Sequence, residues 1–172
     1  MGIRYYAYAF DRDQTRKAVA DPHTVLSDDP LADAWGLEPH AAVSVTTFEQ
    51  SVPERDLLYL DKAWRHLQII TGPAVGEVTR RPAFAMFEGE VTMHGMGWEP
   101  WVRTLTPDDV VDIARDLALL SDEQARAALS GFTRFGDDEA GETAYALQYL
   151  AAARRFVQRL VEEDRGMVYM IG

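Results

Sequence analysis

Cysteine is absent from this chain, which removes disulfides, thiolate nucleophiles and thiolate metal sites together. A reducing, cytoplasmic compartment is the expectation. Lysine is confined to Lys17 and Lys62, and positive charge as a whole is scarce: 17 basic against 28 acidic residues leave a net charge of −11. Nucleic acids are bound chiefly by Lys and Arg that displace counterions from phosphates, so direct nucleic-acid binding is not expected. An acidic surface suits a basic protein partner instead, because complementary charge speeds encounter. No run approaches the ~18 apolar residues that a membrane helix needs, and no membrane association is expected. The opening residues carry Arg4 but no long apolar stretch, so they do not read as a secretion signal. Also missing are a phosphate-binding Gly-x4-Gly-Lys loop, a Gly-x-Gly-x-x-Gly dinucleotide turn and a Gly-x-Ser-x-Gly nucleophile elbow. No cofactor is implied.

What is present is a chain of 172 residues with 47% apolar side chains, enough for one substantial core spanning residues 1–172. The aromatic and β-branched residues 2–10 read as an opening strand, followed by a short helix toward Ala20 capped by Asp11 or Asp13. Prolines break the pattern between 21 and 53. Residues 57–60 lead into a helix closed at Gly72, with Leu60, Ala63, Trp64, Leu67 and Ile70 on one arc. A strand is expected over 83–87 and a loop over 94–101. Thr106-Pro107-Asp108-Asp109 is a strong helix start, with a buried stripe of Val110, Ile113, Ala114, Leu117 and Leu120. Ser121 and Gln124 form a capping box for a second helix through Leu129. A long helix over 139–164 places Tyr145, Tyr149, Ala152, Phe156 and Leu160 on one face, and residues 167–171 read as a final strand. The fold class is α+β: helices on a small, mostly antiparallel sheet that includes both chain ends.

Three segments resemble a known family. They are Leu60-Asp61-Lys62-Ala63-Trp64 with His66-Leu67 behind it, the Gly97-Trp98 loop leading to Thr106-Pro107-Asp108-Asp109-Val110, and the C-terminal helix running through Gly166 into an apolar end. In these features the chain resembles the YfbM-like family of uncharacterised, mainly bacterial proteins. It departs from the family's Gly-aromatic-Gly-Pro loop by Glu99 in place of the second glycine, and its spacing to Thr106 is about one residue longer. The resemblance implies an α+β fold and a conserved-looking surface around the Asp-Lys-Ala-Trp helix, and brings no assigned activity.

Two groups of residues are candidates for a binding site. Asp61, Lys62, Trp64 and His66 could present an acid, a cation and a proton carrier from one helix, Lys62 and His66 being four residues apart. The structural alternative is that Asp61 caps the helix or pairs with Arg65 and that Trp64 is core. His94, Trp98, Trp101 and Arg103 lie on or beside the Gly-rich loop, where binding residues are commonly presented. The alternative there is a loop folded back over the core. His23, His40, His66 and His94 lack zinc-site spacing, and the acid runs 137–139 and 162–164 lack the spacing of a calcium loop, so no metal is expected. No catalytic set is recognisable. A non-catalytic, acidic binding protein, one that could neutralise a basic partner, is the expected function. The rival is a small-molecule binder or enzyme with a pocket between residues 61–66 and 94–103.

Overall fold

In the computed structural model, residues 2–37, 49–73, 76–130 and 138–172 are described. Strand β1 (Tyr5–Asp11) pairs antiparallel with β2 (Leu57–Asp61) on one side and with β6 (Arg165–Ile171) on the other. Strand β5 (Trp101–Leu105) then pairs antiparallel with β6, giving the order β2-β1-β6-β5. The protein is thus α+β, and both chain ends meet at the centre of its sheet, in register from Tyr5 opposite Ile171 to Asp11 opposite Arg165.

The central strands are buried on both faces, which is why β1 and β6 read as almost unbroken apolar runs rather than alternating ones. Tyr5, Ala7, Met167, Tyr169 and Ile171 belong to the larger core. Tyr6, Tyr8, Phe10 and Val168 belong to smaller clusters with Ala34 and Ala18. Those two alanines come from α2 (Pro30–Trp35) and α1 (Thr15–Ala20), which cover that second face. Gly166 is required by close approach: a Cβ there would stand 2.4 Å from Phe10 Cζ and 2.7 Å from the Leu105 carbonyl oxygen.

The larger core is closed by α3 (Trp64–Thr71), α4 (Pro107–Leu119), α5 (Asp122–Leu129) and α6 (Glu139–Glu162). Helix α4 starts as its sequence dictates: Asp109 N–H donates to Thr106 Oγ1 at 3.2 Å and Thr106 N–H returns a bond to Asp109 Oδ2 at 2.8 Å. All five residues of its expected stripe are buried. Ser121 and Gln124 form the same reciprocal box for α5. Asp138 caps α6 by accepting from Gly141 N–H at 2.9 Å, while Asp137 lies outside the described residues.

Four local expectations are corrected. Residues 57–61 are strand rather than the run-in to a helix, because Tyr8 and Ala7 pair with Leu57 and Leu58. Residues 83–87 are not a strand: a 3-10 turn spans Pro82–Met86, led by a proline that suits a helical first position and cannot donate to a ladder. Its carbonyls serve the core tyrosines, Met86 accepting from Tyr5 Oη at 2.8 Å and Ala85 from Tyr169 Oη at 3.0 Å. The buried stripe of α6 is Ala146, Leu150, Ala153, Phe156, Val157 and Leu160, and Tyr145, Tyr149 and Ala152 lie on its half-buried flank. A tyrosine there keeps its ring in the core edge and its hydroxyl within reach of a polar partner. Lastly, neither Asp11 nor Asp13 makes a side-chain cap; a short 3-10 turn, Arg12–Gln14, precedes α1.

Candidate functional site

Asp61 ends β2 with φ +47, a left-handed conformation in which Asp is one of the few tolerated non-glycine residues. Three donors from distant parts of the chain hold it there. Arg4 Nε and Tyr59 Oη donate to Oδ1 at 3.0 and 2.9 Å, and Tyr145 Oη of α6 donates to Oδ2 at 2.7 Å. Trp35 Nε1 donates to Tyr59 Oη at 3.1 Å, and the Arg4 guanidinium lies 5.1 Å above the Trp35 ring. The carboxylate therefore ties together the start of β1, the end of β2, α2 and α6. Burial pushes the Asp61 carboxyl up, but the bonds from Tyr145, Tyr59 and Arg4 outweigh it and hold the group below the ordinary carboxylate value. Burial and the same carboxylate push the Tyr145 and Tyr59 hydroxyls upward, so they stay neutral donors.

This arrangement corrects the expected cap or Arg65 pairing of Asp61. Helix α3 is preceded by Ala63 without a side-chain cap, and the Arg65 guanidinium lies 5.2 Å over the Trp64 ring. Trp64 is core, at 3% exposure. Lys62 is exposed, and its backbone N–H donates to Tyr145 Oη at 3.3 Å. His66 is buried with Nε2 2.8 Å from Glu142 Oε2 of α6, and the Tyr145 ring stands edge-on at 5.8 Å. Asp61, Lys62 and His66 thus meet around Tyr145, and a carboxylate already accepting three bonds is poorly placed to take a proton from a substrate.

The second group occupies a different structure from the expected loop. Strands β3 (Thr92–His94) and β4 (Gly97–Glu99) form a hairpin separate from the main sheet, turning at Gly95 with φ +50. Three-residue strands flanked by glycines carry too little alternation to announce themselves in sequence. Met93 is paired directly with Trp98, so both lie on one face, at 66% and 38% exposure; Met96 at the turn is fully exposed and Trp101 is 37% exposed. The other face carries Thr92, His94 and Glu99, with His94 Nε2 3.4 Å from Glu99 Oε2. Arg103 donates to Glu88 Oε2 at 2.6 Å. The Trp101 ring covers Gly89, where an added Cβ would clash at 2.3 Å.

An open cleft of about 410 Å³ runs beside the hairpin, lined by His23, Glu90, Thr92, Glu99, Trp101 and Val102 among others. None of residues 61–66 lines it. The link from α3 to the Trp101 region runs instead through Gln68, whose amide donates to the Phe87 and Gly89 carbonyls at 2.6 and 2.8 Å. Sequence reasoning missed Arg4, Trp35, Tyr59 and Tyr145 around Asp61, and Met93 and Met96 on the hairpin. Only the exposed methionines left a signal, as apolar residues inside a glycine-rich stretch. Among the described residues no three His, Asp or Glu side chains converge in a way that could hold a metal ion. No helix of the described residues is long and apolar enough to cross a membrane. His40 lies outside the described residues.

The architecture defines a class: α+β proteins in which the first and last strands are the central pair of an antiparallel sheet and a long C-terminal helix packs across it. The solved structure of YfbM from Escherichia coli, itself described as a protein of unknown function, shares this fold. The TM-score is 0.59 at 16% sequence identity, covering 99% of this chain and 100% of that one. At that identity the likeness extends to the YfbM-like fold alone. No protein-family model matches the chain, and none of the curated proteins matches it in sequence.

Proposed function

We propose that this is a non-catalytic binding protein that engages a basic protein partner through the β3–β4 hairpin. The observation that carries the proposal is the exposure of Met93, Met96, Trp98 and Trp101 together on and beside an isolated two-stranded element. Such a hairpin is marginally stable alone and presents the side chains that dominate protein interfaces, so a partner covering it gains affinity from both. Tryptophan faces also accept guanidinium groups. Exposed Glu90 precedes the hairpin and exposed Glu99 lies on its opposite face, within a chain whose net charge of −11 speeds the approach of a basic surface. Asp61 acts in this view as a structural tie, its lone pairs committed to Arg4, Tyr59 and Tyr145.

Affinity capture from lysate at low salt tests the proposal. Proteins captured by the wild type should be lost with Trp98→Ala and with Met96→Ser, and retained with Leu119→Ser, which alters an exposed leucine on α4. Identical capture by wild type and Trp98→Ala would sink it.

A further inference from the structure

We propose that a cleft between β2 and α6 binds a small oxyanion, a carboxylate or phosphate group held by Arg155 and Arg159. It is independent of the hairpin. The cleft is partly open to solvent and holds about 100 Å³, with Leu57, Tyr59 and Phe156 among its walls and Arg155, Arg159 and Glu54 among its polar lining. The Gln50 amide, also in the lining, donates to the Val52 and Leu57 carbonyls at 2.7 and 3.0 Å, which fixes the connecting segment against β2.

The two arginines are four residues apart on α6, so their side chains project from one face with Cβ atoms about 6 Å apart. Like charges at that spacing oppose helix formation, and the chain has 28 acidic residues with which to relieve them. Elsewhere it does so: Arg4, Arg12, Arg81, Arg103, Arg154 and Arg165 each hold a carboxylate. Among the described residues Arg155 and Arg159 hold none. Arg16, Arg65 and Arg126, exposed like Arg155, also lack one, but away from this cleft. Exposed Arg155 and half-buried Arg159 both line this cleft, and two guanidinium forks at one site match the planar or tetrahedral oxygens of an oxyanion, which they can bind through several charge-assisted bonds. Size narrows the ligand further. A space of about 100 Å³ is room for a few small groups rather than for a large ligand. That suits a single anionic head group and is smaller than the ~300 Å³ or more in which drug-sized ligands are usually buried.

Calorimetric titration of the full chain with inorganic phosphate and, separately, with propionate tests this at constant ionic strength. Saturable binding of either supports the proposal, the tighter one naming the head group. Arg155→Ala and Arg159→Ala should each weaken it about tenfold or more. Arg155→Lys should fall between these and wild type, because it keeps the charge and loses the fork. Arg16→Ala should leave affinity unchanged, and Glu54→Gln should raise it by removing a like charge from the lining. Thermal melts of all variants confirm that each is folded. Absence of saturable binding to both probes, equal weakening by Arg16→Ala, or weakening by Glu54→Gln would overturn the proposal.

Discussion

Replacing Asp61 by Asn leaves the shape of the side chain and removes its charge. The wild-type carboxylate accepts from Arg4, Tyr59 and Tyr145, whereas an amide has one oxygen to offer and sets its NH2 against at least one of these donors. Hydrogen bonds to a charged group contribute about 1.5–3 kcal/mol each, and a donor left unpaired costs about 1–3 kcal/mol. The carboxylate retains 27% exposure, so water replaces part of what is lost and the figures at the low end apply. A net loss of about 2–4 kcal/mol is expected for Asp61→Asn, measured as a lower urea midpoint at pH 7. Tyr145→Phe should cost about 1 kcal/mol alone and less than that in the Asp61→Asn background, because the two share one bond. The pH dependence has a definite sign. Asp61 titrates lower in the folded state than its ordinary value of 3.8, so its stabilisation is complete above that value and is lost as pH falls through the lower, folded one. The gap between wild type and Asp61→Asn should therefore be constant near neutrality and close only in strong acid. Stabilities within about 0.5 kcal/mol of each other at pH 7, or strict additivity with Tyr145→Phe, would refute the idea that this carboxylate ties four elements together.

Phe156→Ala should leave a cavity against β2 and cost about 3–5 kcal/mol, whereas exposed Glu162→Ala should change stability by less than about 0.5 kcal/mol; equal urea midpoints would mean that α6 does not bury Phe156. Gly166→Ala should lose about 1–3 kcal/mol, since its methyl group meets Phe10 and the Leu105 carbonyl across the sheet, and a stability equal to wild type would contradict the packing of β6 against β5.

Much of the fold was legible because its signals are local. The Thr106 and Ser121 boxes need only residues three positions on, and the α4 stripe repeats every turn, so both helices lie where periodicity placed them. The strands at both ends were legible from composition, and the sheet that joins them follows from burial of both their faces. What failed was long-range. Asp61 resembled a helix cap because nothing near it in sequence reveals Arg4 at a separation of 57 residues or Tyr145 at 84. Residues 83–87 resembled a strand because the carbonyl acceptors that Tyr5 and Tyr169 require are supplied by a turn that only the tertiary fold explains. At the candidate site, the exposure of Trp98 and Trp101 depends on whether a short glycine-flanked segment lies on the core or projects as a hairpin, and composition is the same in both cases.

The most direct test of the hairpin as a binding surface is the affinity for a captured basic partner, measured against salt for wild type and Trp98→Ala. Affinity should fall as salt rises, as expected for an acidic surface meeting a basic one, and should fall at least about tenfold on removal of the Trp98 ring. An affinity indifferent to Trp98, whatever its salt dependence, would contradict the assignment of the hairpin as the binding surface.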